Sequence, residues 1–322
     1  MPSTFDMPLE ELSRYRGTNP RPDDFDAYWD AAVAEMNAVD PRIEIIPDEE
    51  FQTPFATCSH LWFTGAGGAR IHAKLLQPKP VAVPHPAVLM FHGYTGDCGG
   101  WLEKLGYAAA GFTVAALDCR GQGGCSEDVG GVRGNTHRGH IIRGLGDAPE
   151  KMLYRSIFLD TAQLAKIVMA MDDVDENRVG AMGGSQGGAL ALACAALEPR
   201  VARCAPVHPF LCDYKRVYDL DLAKDAYAEL EEYFRKFDPQ HRREDEIFRQ
   251  LGYIDVQHLA PRIKAEVLLA TTLRDTVCPP STQFAAYNKI ASTKSLEVYP
   301  DFAHEPPPGF AERTYQFMME MC

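Results

Sequence analysis

A short apolar run, Arg178-Val179-Gly180-Ala181-Met182-Gly183, passes into Gly184-Ser185-Gln186-Gly187-Gly188 and then into the alanine- and leucine-rich stretch Ala189 to Leu197. No other feature limits the fold as sharply. The run reads as a buried strand, and the stretch after it reads as a helix. The turn between them must be tight, and its glycines let neighbouring backbone approach where a Cβ would clash. Ser185 therefore stands on a strained strand-to-helix turn, the context that a nucleophile elbow of the G-x-S-x-G type requires. Its Oγ is exposed there, above the positive N-terminus of the helix.

The rest of the chain supplies a sheet for this turn. Strands are predicted at 86–91, 112–118, 178–183, 201–207, 265–271 and 295–299. Helices are predicted near 101–110, 154–171, 186–198, 280–291 and 309–320. Alternating apolar strands and helices indicate a mostly parallel sheet flanked by helices on both faces. Residues 1–40 read as an N-terminal arm and one helix, capped by Asp23 or Asp24, with Phe25, Tyr28, Trp29, Ala32 and Met36 at helical spacing. Residues 42–76 read as antiparallel strands, with a hairpin at Thr64-Gly65-Ala66-Gly67-Gly68. The expected class is α/β, in the α/β-hydrolase arrangement, as a single domain over 1–322.

Residues 208–262 interrupt the alternation. Leu230, Tyr233, Phe234 and Phe237 lie at i, i+3, i+4 and i+7, and His241 to Tyr253 reads as a second amphipathic helix. Such an insertion is expected to form a helical cap above the carboxyl ends of the strands, where these sheets bind ligands. A peripheral decoration is the alternative.

A serine hydroxyl is a weak nucleophile until a base takes its proton. In this fold the partners follow in the order Ser, Asp or Glu, His. His304 is the one histidine after the last predicted strand, which makes it the expected general base. His208, which can line the site, and His258, in the insertion, are its competitors. Asp275 follows the strand at 265–271 and is the preferred acid; Asp301, three residues before His304, is the rival and suits a loop-bracing role.

The developing oxyanion needs two fixed N–H donors. Gln186, directly after the serine, offers one. Phe91-His92-Gly93-Tyr94-Thr95-Gly96 follows an early strand, and the Tyr94 N–H is the expected second donor. His92 reads as a supporting residue. Tyr94, Pro206, His208 and Phe210 are the expected substrate-binding residues, because they flank these donors and the strand beside the serine.

Lysine and arginine number 32 against 45 aspartates and glutamates, a net charge of −13. That excess argues against nucleic-acid and anionic-membrane partners. Nine cysteines, several in buried-looking segments such as Cys119, Cys194 and Cys204, do not read as a disulfide framework. The opening MPSTFDMPLEELSRYRG lacks the pattern of a secretory signal, so a cytoplasmic protein is expected.

Asp118-Cys119-Arg120-Gly121-Gln122-Gly123 is not demanded by a generic hydrolase. Together with His92-Gly93-Tyr94, the Ser185 turn and His304-Glu305, it resembles carbohydrate esterase family 7, the acetyl xylan esterases and cephalosporin C deacetylases. The resemblance spans nearly the whole chain, including RPDDFDAYWDAAV, LYRSIFLDTAQL and CPPSTQFAAYN. It implies a Ser185–His304–Asp275 triad with Tyr94 and Gln186 amides, and Arg120, Gln122 and Glu305 as supports. It also implies removal of acetyl groups from small acetylated sugars and cephalosporin C, with no metal or cofactor, by a homo-oligomer, most typically a hexamer. Ala303 stands where the family usually has glycine, and three prolines follow Glu305, so a stiffer histidine loop is expected. A general carboxylesterase and a peptidase of the prolyl-oligopeptidase type are alternative enzymes; no propeller-sized segment precedes the core, which disfavours the peptidase. A binding protein on a dead hydrolase fold predicts loss of a triad member, and all three are present.

Overall fold

The computed structural model describes residues 5–79, 84–128, 131 and 137–322. An N-terminal portion holds α1 (Leu9–Leu12), α2 (Phe25–Ala38), β1 (Glu44–Pro47), β2 (Ala56–Thr64) and β3 (Arg70–Pro78). The alternating portion follows as β4 (His85–Phe91), α3 (Leu105–Ala109), β5 (Thr113–Leu117), α4 (Leu153–Met169), β6 (Val174–Gly184), α5 (Gln186–Leu197) and β7 (Arg203–Val207). After β7 come α6 (Tyr214–Asp219), α7 (Ala228–Phe237), α8 (Glu244–Leu251) and α9 (Val256–Leu259). The chain then returns to the sheet through β8 (Glu266–Thr272), α10 (Pro280–Tyr287), β9 (Lys294–Tyr299) and α11 (Phe310–Met319).

The described strands form one sheet in the order β1-β2-β3-β5-β4-β6-β7-β8-β9. Pairs from β1 to β5 in that order are antiparallel, and all later pairs are parallel. The chain leaves β4 towards β5 and then crosses back to β6 on the other side. The carboxyl end of β4 is thus a point where the winding reverses, the position at which open parallel sheets bind ligands. Ser185 and the loop carrying Tyr94 both lie at that edge, after β6 and β4.

This is the expected α/β-hydrolase fold, and the local departures have identifiable causes. β6 begins at Val174, earlier than 178; Asp175, Glu176 and Asn177 in its first part are polar and partly or wholly exposed, so no apolar run marks them. Asp24 precedes α2, but its side chain caps nothing: Asp24 Oδ1 accepts from the Tyr253 hydroxyl at 2.5 Å instead. Phe237 completes the apolar spacing of α7 yet is 67% exposed, because the helix ends at that residue. The apolar face of α2 does pack inward, with Trp29 wholly buried and stacked on Phe158 of α4. Cys119, Cys194 and Cys204 are buried, and no disulfide joins the described cysteines. Among the described residues, no helix is long and apolar enough to cross a membrane.

Candidate active site

Ser185 joins β6 to α5 with φ 55° and ψ −119°, a region that non-glycine residues rarely occupy. Such a conformation costs about 1–3 kcal/mol and persists only where the surroundings over-determine it. They do here. The Ser185 N–H donates to Val207 O at 3.0 Å, and Ser185 O accepts from the Phe210 and Ala189 N–H groups at 3.0 and 3.1 Å. A Cβ on Gly187 would stand 2.0 Å from Phe91 O, and one on Gly183 would stand 2.5 Å from it. The glycines are therefore imposed by the backbone of β4, which this turn must touch.

A continuous hydrogen-bond chain runs from the serine. Ser185 Oγ lies 3.0 Å from His304 Nε2, and His304 Nδ1 lies 2.8 Å from Asp275 Oδ2. Asp275 is wholly buried, and its other oxygen accepts from the N–H groups of Val277 and Cys278 at 2.9 and 2.8 Å. These donors fix the carboxylate so that Oδ2 faces the imidazole. Asp301 is exposed in the turn after β9, and Glu305 folds back to accept from the Ala303 N–H at 3.2 Å. His208 is buried with its ring centroid 4.4 Å from that of His304. Burial, reinforced by the neighbouring His304, pulls the His208 pKa down to about 4. His258 is also buried, within the insertion on α9.

The N–H groups of Tyr94 and Gln186 find no acceptor among the described residues. Behind them the Gln122 and Gln186 side chains pair, and Gln122 Oε1 also accepts from the Thr95 N–H at 2.9 Å. His92 straps the same loop: its Nδ1–H donates to Gly93 O at 2.7 Å and its Nε2 accepts from the Cys119 N–H at 3.0 Å. Arg120 makes a two-pronged, buried ion pair with Asp160 of α4 and donates to Ala66 O in the hairpin. It thus ties the segment after β5 to α4 and to the hairpin.

Of the other predicted contacts, Pro206 is buried within β7 opposite Gly183, and Phe210 is buried under the Tyr94 ring, 5.4 Å between centroids. The Tyr94 hydroxyl donates to Glu229 Oε1 on α7 at 2.5 Å and lies 3.1 Å from His140 Nδ1. Glu229 and His140 escaped the sequence reading, since nothing in their local pattern marks contacts so distant along the chain. Cys278 also escaped it; its side chain hydrogen-bonds to Ser185, while burial pushes the thiol well above its ordinary range.

A cavity of about 530 Å³ lies behind the histidine loop, lined by Gly184, His208, Pro306, Phe310 and Tyr107 among others. Ser185, Tyr94 and Gln186 do not line it, so it is not the space in front of the hydroxyl. His208, Asp275 and His304 bring one donor atom each within 4.8 Å of one another. Both nitrogens of His304 are hydrogen-bonded, to Ser185 Oγ and to Asp275 Oδ2.

The arrangement can activate a hydroxyl and stabilise an oxyanion beside it. The Acetyl xylan esterase (AXE1) family model matches residues 1–321. The chain belongs to the acetyl xylan esterase family. Acetyl xylan esterase 1 from Thermoanaerobacterium sp. is 61% identical, with a TM-score of 0.95 over 98% of this chain and 99% of that one. The acetyl xylan esterase from Paenibacillus sp. R4 is 36% identical, with a TM-score of 0.91 over the same shares. An acetyl esterase of Xylanibacter ruminicola is 27% identical over 288 residues, 88% of this chain. The chain spans 63% of that relative's length. Acetyl xylan esterases cleave carboxylic esters, so this is a family of carboxylic ester hydrolases.

Proposed function

We propose that this chain is a serine esterase that removes acetyl groups from acetylated xylo-oligosaccharides and related small acetate esters such as cephalosporin C. The observation that carries the reading is the unbroken chain from Ser185 Oγ through His304 to Asp275. His304 Nε2 takes the hydroxyl proton as Ser185 attacks the acetyl carbonyl. The oxyanion accepts from the Tyr94 and Gln186 N–H groups, each worth about 2.7–4 kcal/mol at such a site. His304 then hands its proton to the leaving sugar oxygen. Water enters by the same route and releases acetate, and Asp275 holds the imidazole in the required tautomer throughout. His208, neutral beside it, adds no opposing charge.

Tyr94, Pro206, His208 and Phe210 form the wall near the acyl group in this reading, and residues 208–262 form a cap through the Tyr94–Glu229 contact. The working protein is a cytoplasmic homo-oligomer, a hexamer by family resemblance, and it uses no nucleic-acid or membrane partner. Labelling by a fluorophosphonate probe, lost in Ser185→Ala, tests the nucleophile. A panel of acetylated xylo-oligosaccharides, acetylated antibiotics and simple acetate esters tests the substrate class. No labelling, or labelling that survives Ser185→Ala, overturns the mechanism.

A further inference from the structure

Behind the histidine loop, the middle of the sheet is not closed. Met90 of β4, Met182 of β6 and Val207 of β7 lie in central strands, yet each is partly exposed. Leu89 and Ala181, which point to the other face, are wholly buried. The opening is the cavity of about 530 Å³ between these strands, α3 and α11. Protein interiors pack as closely as organic crystals, and few of their gaps exceed a water molecule. This one falls in the range of about 300–1,000 Å³ that small-molecule pockets occupy.

The walls select a chemistry. Tyr107, Phe310 and Tyr315 line the cavity together with Met90 and Met182. Aromatic rings and thioether sulfurs hold a flat aromatic guest well. Glu103, an exposed residue, is the only charged side chain of the lining, and neither lysine nor arginine is among it. An anionic guest would find no partner there. At the inner end stands His208, 6% exposed and held at φ 30°, where a side chain is strained. Its Nδ1 is buried without a hydrogen-bond partner. A Cβ on Gly184, which also lines the cavity, would stand 3.9 Å from His208 Nε2, so Nε2 is the nitrogen on the cavity side. A neutral imidazole presents there either an N–H or a lone pair, according to its tautomer. A hydroxyl group answers both, because it donates and accepts.

We propose that this cavity is a second ligand site, which takes a small neutral aromatic molecule bearing a hydroxyl group. The ring lies among Tyr107, Phe310 and Tyr315, and the hydroxyl meets His208 Nε2. No bond is made or broken. The site is separate from the ester chemistry, since Ser185 does not line it, yet it ends one ring away from the catalytic base: the His208 and His304 centroids are 4.4 Å apart.

The test titrates the purified full chain with 2-naphthol and follows the ligand's fluorescence. Saturable binding of one equivalent per chain is expected, with a Kd of about 1 mM or tighter for a ligand of this size. The anion 2-naphthoate should bind at least about 10-fold more weakly, because its charge would be buried unpaired. Ala311→Trp fills the cavity from its exposed rim and Thr314→Trp from its buried wall. Each should weaken 2-naphthol about 10-fold or more by steric overlap, and Ala311→Trp should leave the fold and the activity on an acetate ester unchanged. Blocking Ser185 with a fluorophosphonate should leave 2-naphthol binding intact. Absence of saturable binding overturns the proposal, as does binding that survives in both tryptophan variants or naphthoate binding as tight as naphthol binding. Loss of binding in the fluorophosphonate-blocked protein also overturns it, because the ligand would then sit at the serine. So does a smaller mass of Ala311→Trp by light scattering, which would mean that a second copy of the chain fills the cavity.

Discussion

The side-chain amides of Gln122 and Gln186 face each other head to head, with Nε2–H donating to Oε1 at 2.8 Å in one direction and 3.0 Å in the other. The Tyr154 hydroxyl donates to Gln186 Oε1 at 2.7 Å, and the Thr95 N–H donates to Gln122 Oε1 at 2.9 Å. Gln186 supplies one proposed oxyanion donor, and the loop held by Gln122 supplies the other. The amide pair therefore sets the spacing of the two donors although neither side chain touches substrate. Gln122→Ala should lower kcat by about 10-fold or more with little change in KM, short of the 10²–10³ loss for removing a donor outright. Steady-state kinetics on an acetate ester read this split. A change confined to KM would mean that the pair orders only substrate binding.

The hydrogen-bond chain predicts a hierarchy among the acid residues. Ser185→Ala should reduce kcat by about 10⁴–10⁶ in a folded protein, and Asp275→Asn by about 10⁴, because the imidazole loses its orienting acceptor. Asp301→Asn should be close to wild type, since Asp301 is exposed and His304 Nδ1 is bonded to Asp275 instead. Parallel kcat/KM measurements on the three variants decide it. The assignment of the acid is wrong if Asp301→Asn proves the more damaged.

The serine turn was legible in the sequence because backbone contact dictates its residues: Gly187 must pass against Phe91 O, and only glycine does so. His304 was legible because the fold places its base after the last strand. The partners of Tyr94 were not legible. Glu229 lies 135 residues away and reads as one acid among many on an amphipathic helix, and His140 carries no local pattern. Asp24 shows the same limit in reverse: a good capping residue by type was taken by Tyr253 from a distant loop. Spacing predicts which face of an element is apolar, whereas polar pairs across the fold depend on packing that no local window contains.

Asp255 sets a pH dependence of stability. It is fully buried in the insertion, beside Asp213, and burial followed by that neighbouring charge raises its pKa to about 7. The unfolded value is near 3.9. Between about pH 4 and pH 7 the folded chain therefore holds a proton that the unfolded chain has lost, so this residue's contribution falls as pH rises through the interval. Relative to wild type, Asp255→Asn should gain stability as pH moves from 5 to 8. Urea unfolding of both proteins at those two pH values measures the difference. An unchanged difference would show that Asp255 titrates alike in both states.

The edge of the sheet predicts assembly. β1 pairs with β2 on one side only, and Ile43, Ile45 and Ile46 are 46%, 43% and 50% exposed. An apolar, unpaired edge is a liability that proteins usually cover. Light scattering at micromolar concentration should give a homo-oligomer, a hexamer by family resemblance, and Ile45→Lys should shift it towards smaller species. A wild-type mass near the 35.7 kDa monomer contradicts the prediction.

The anchoring of Tyr94 bears on which acyl groups the enzyme accepts. Its ring is held from three sides: Phe210 packs at 5.4 Å, His140 at 5.1 Å edge-on, and Glu229 accepts from the hydroxyl at 2.5 Å. Phe210 is itself backed by Tyr227 at 4.3 Å, so the wall next to the proposed oxyanion donor cannot easily retreat. Loss of favourable packing alone discriminates a methylene by only about 1–3 kcal/mol. A wall that clashes can do more, because the added carbon must then displace packed aromatic rings. Acetate esters should therefore be turned over well, with kcat/KM falling steeply from propionyl to butyryl and octanoyl, while the alcohol part varies widely. Tyr94→Phe keeps the backbone donor but releases the hydroxyl from Glu229, and it should narrow the gap between acetate and butyrate. The comparison is kcat/KM for p-nitrophenyl acetate, propionate, butyrate and octanoate in both proteins. A flat wild-type series, or a maximum at octanoate, would remove the deacetylase reading and leave a general carboxylesterase.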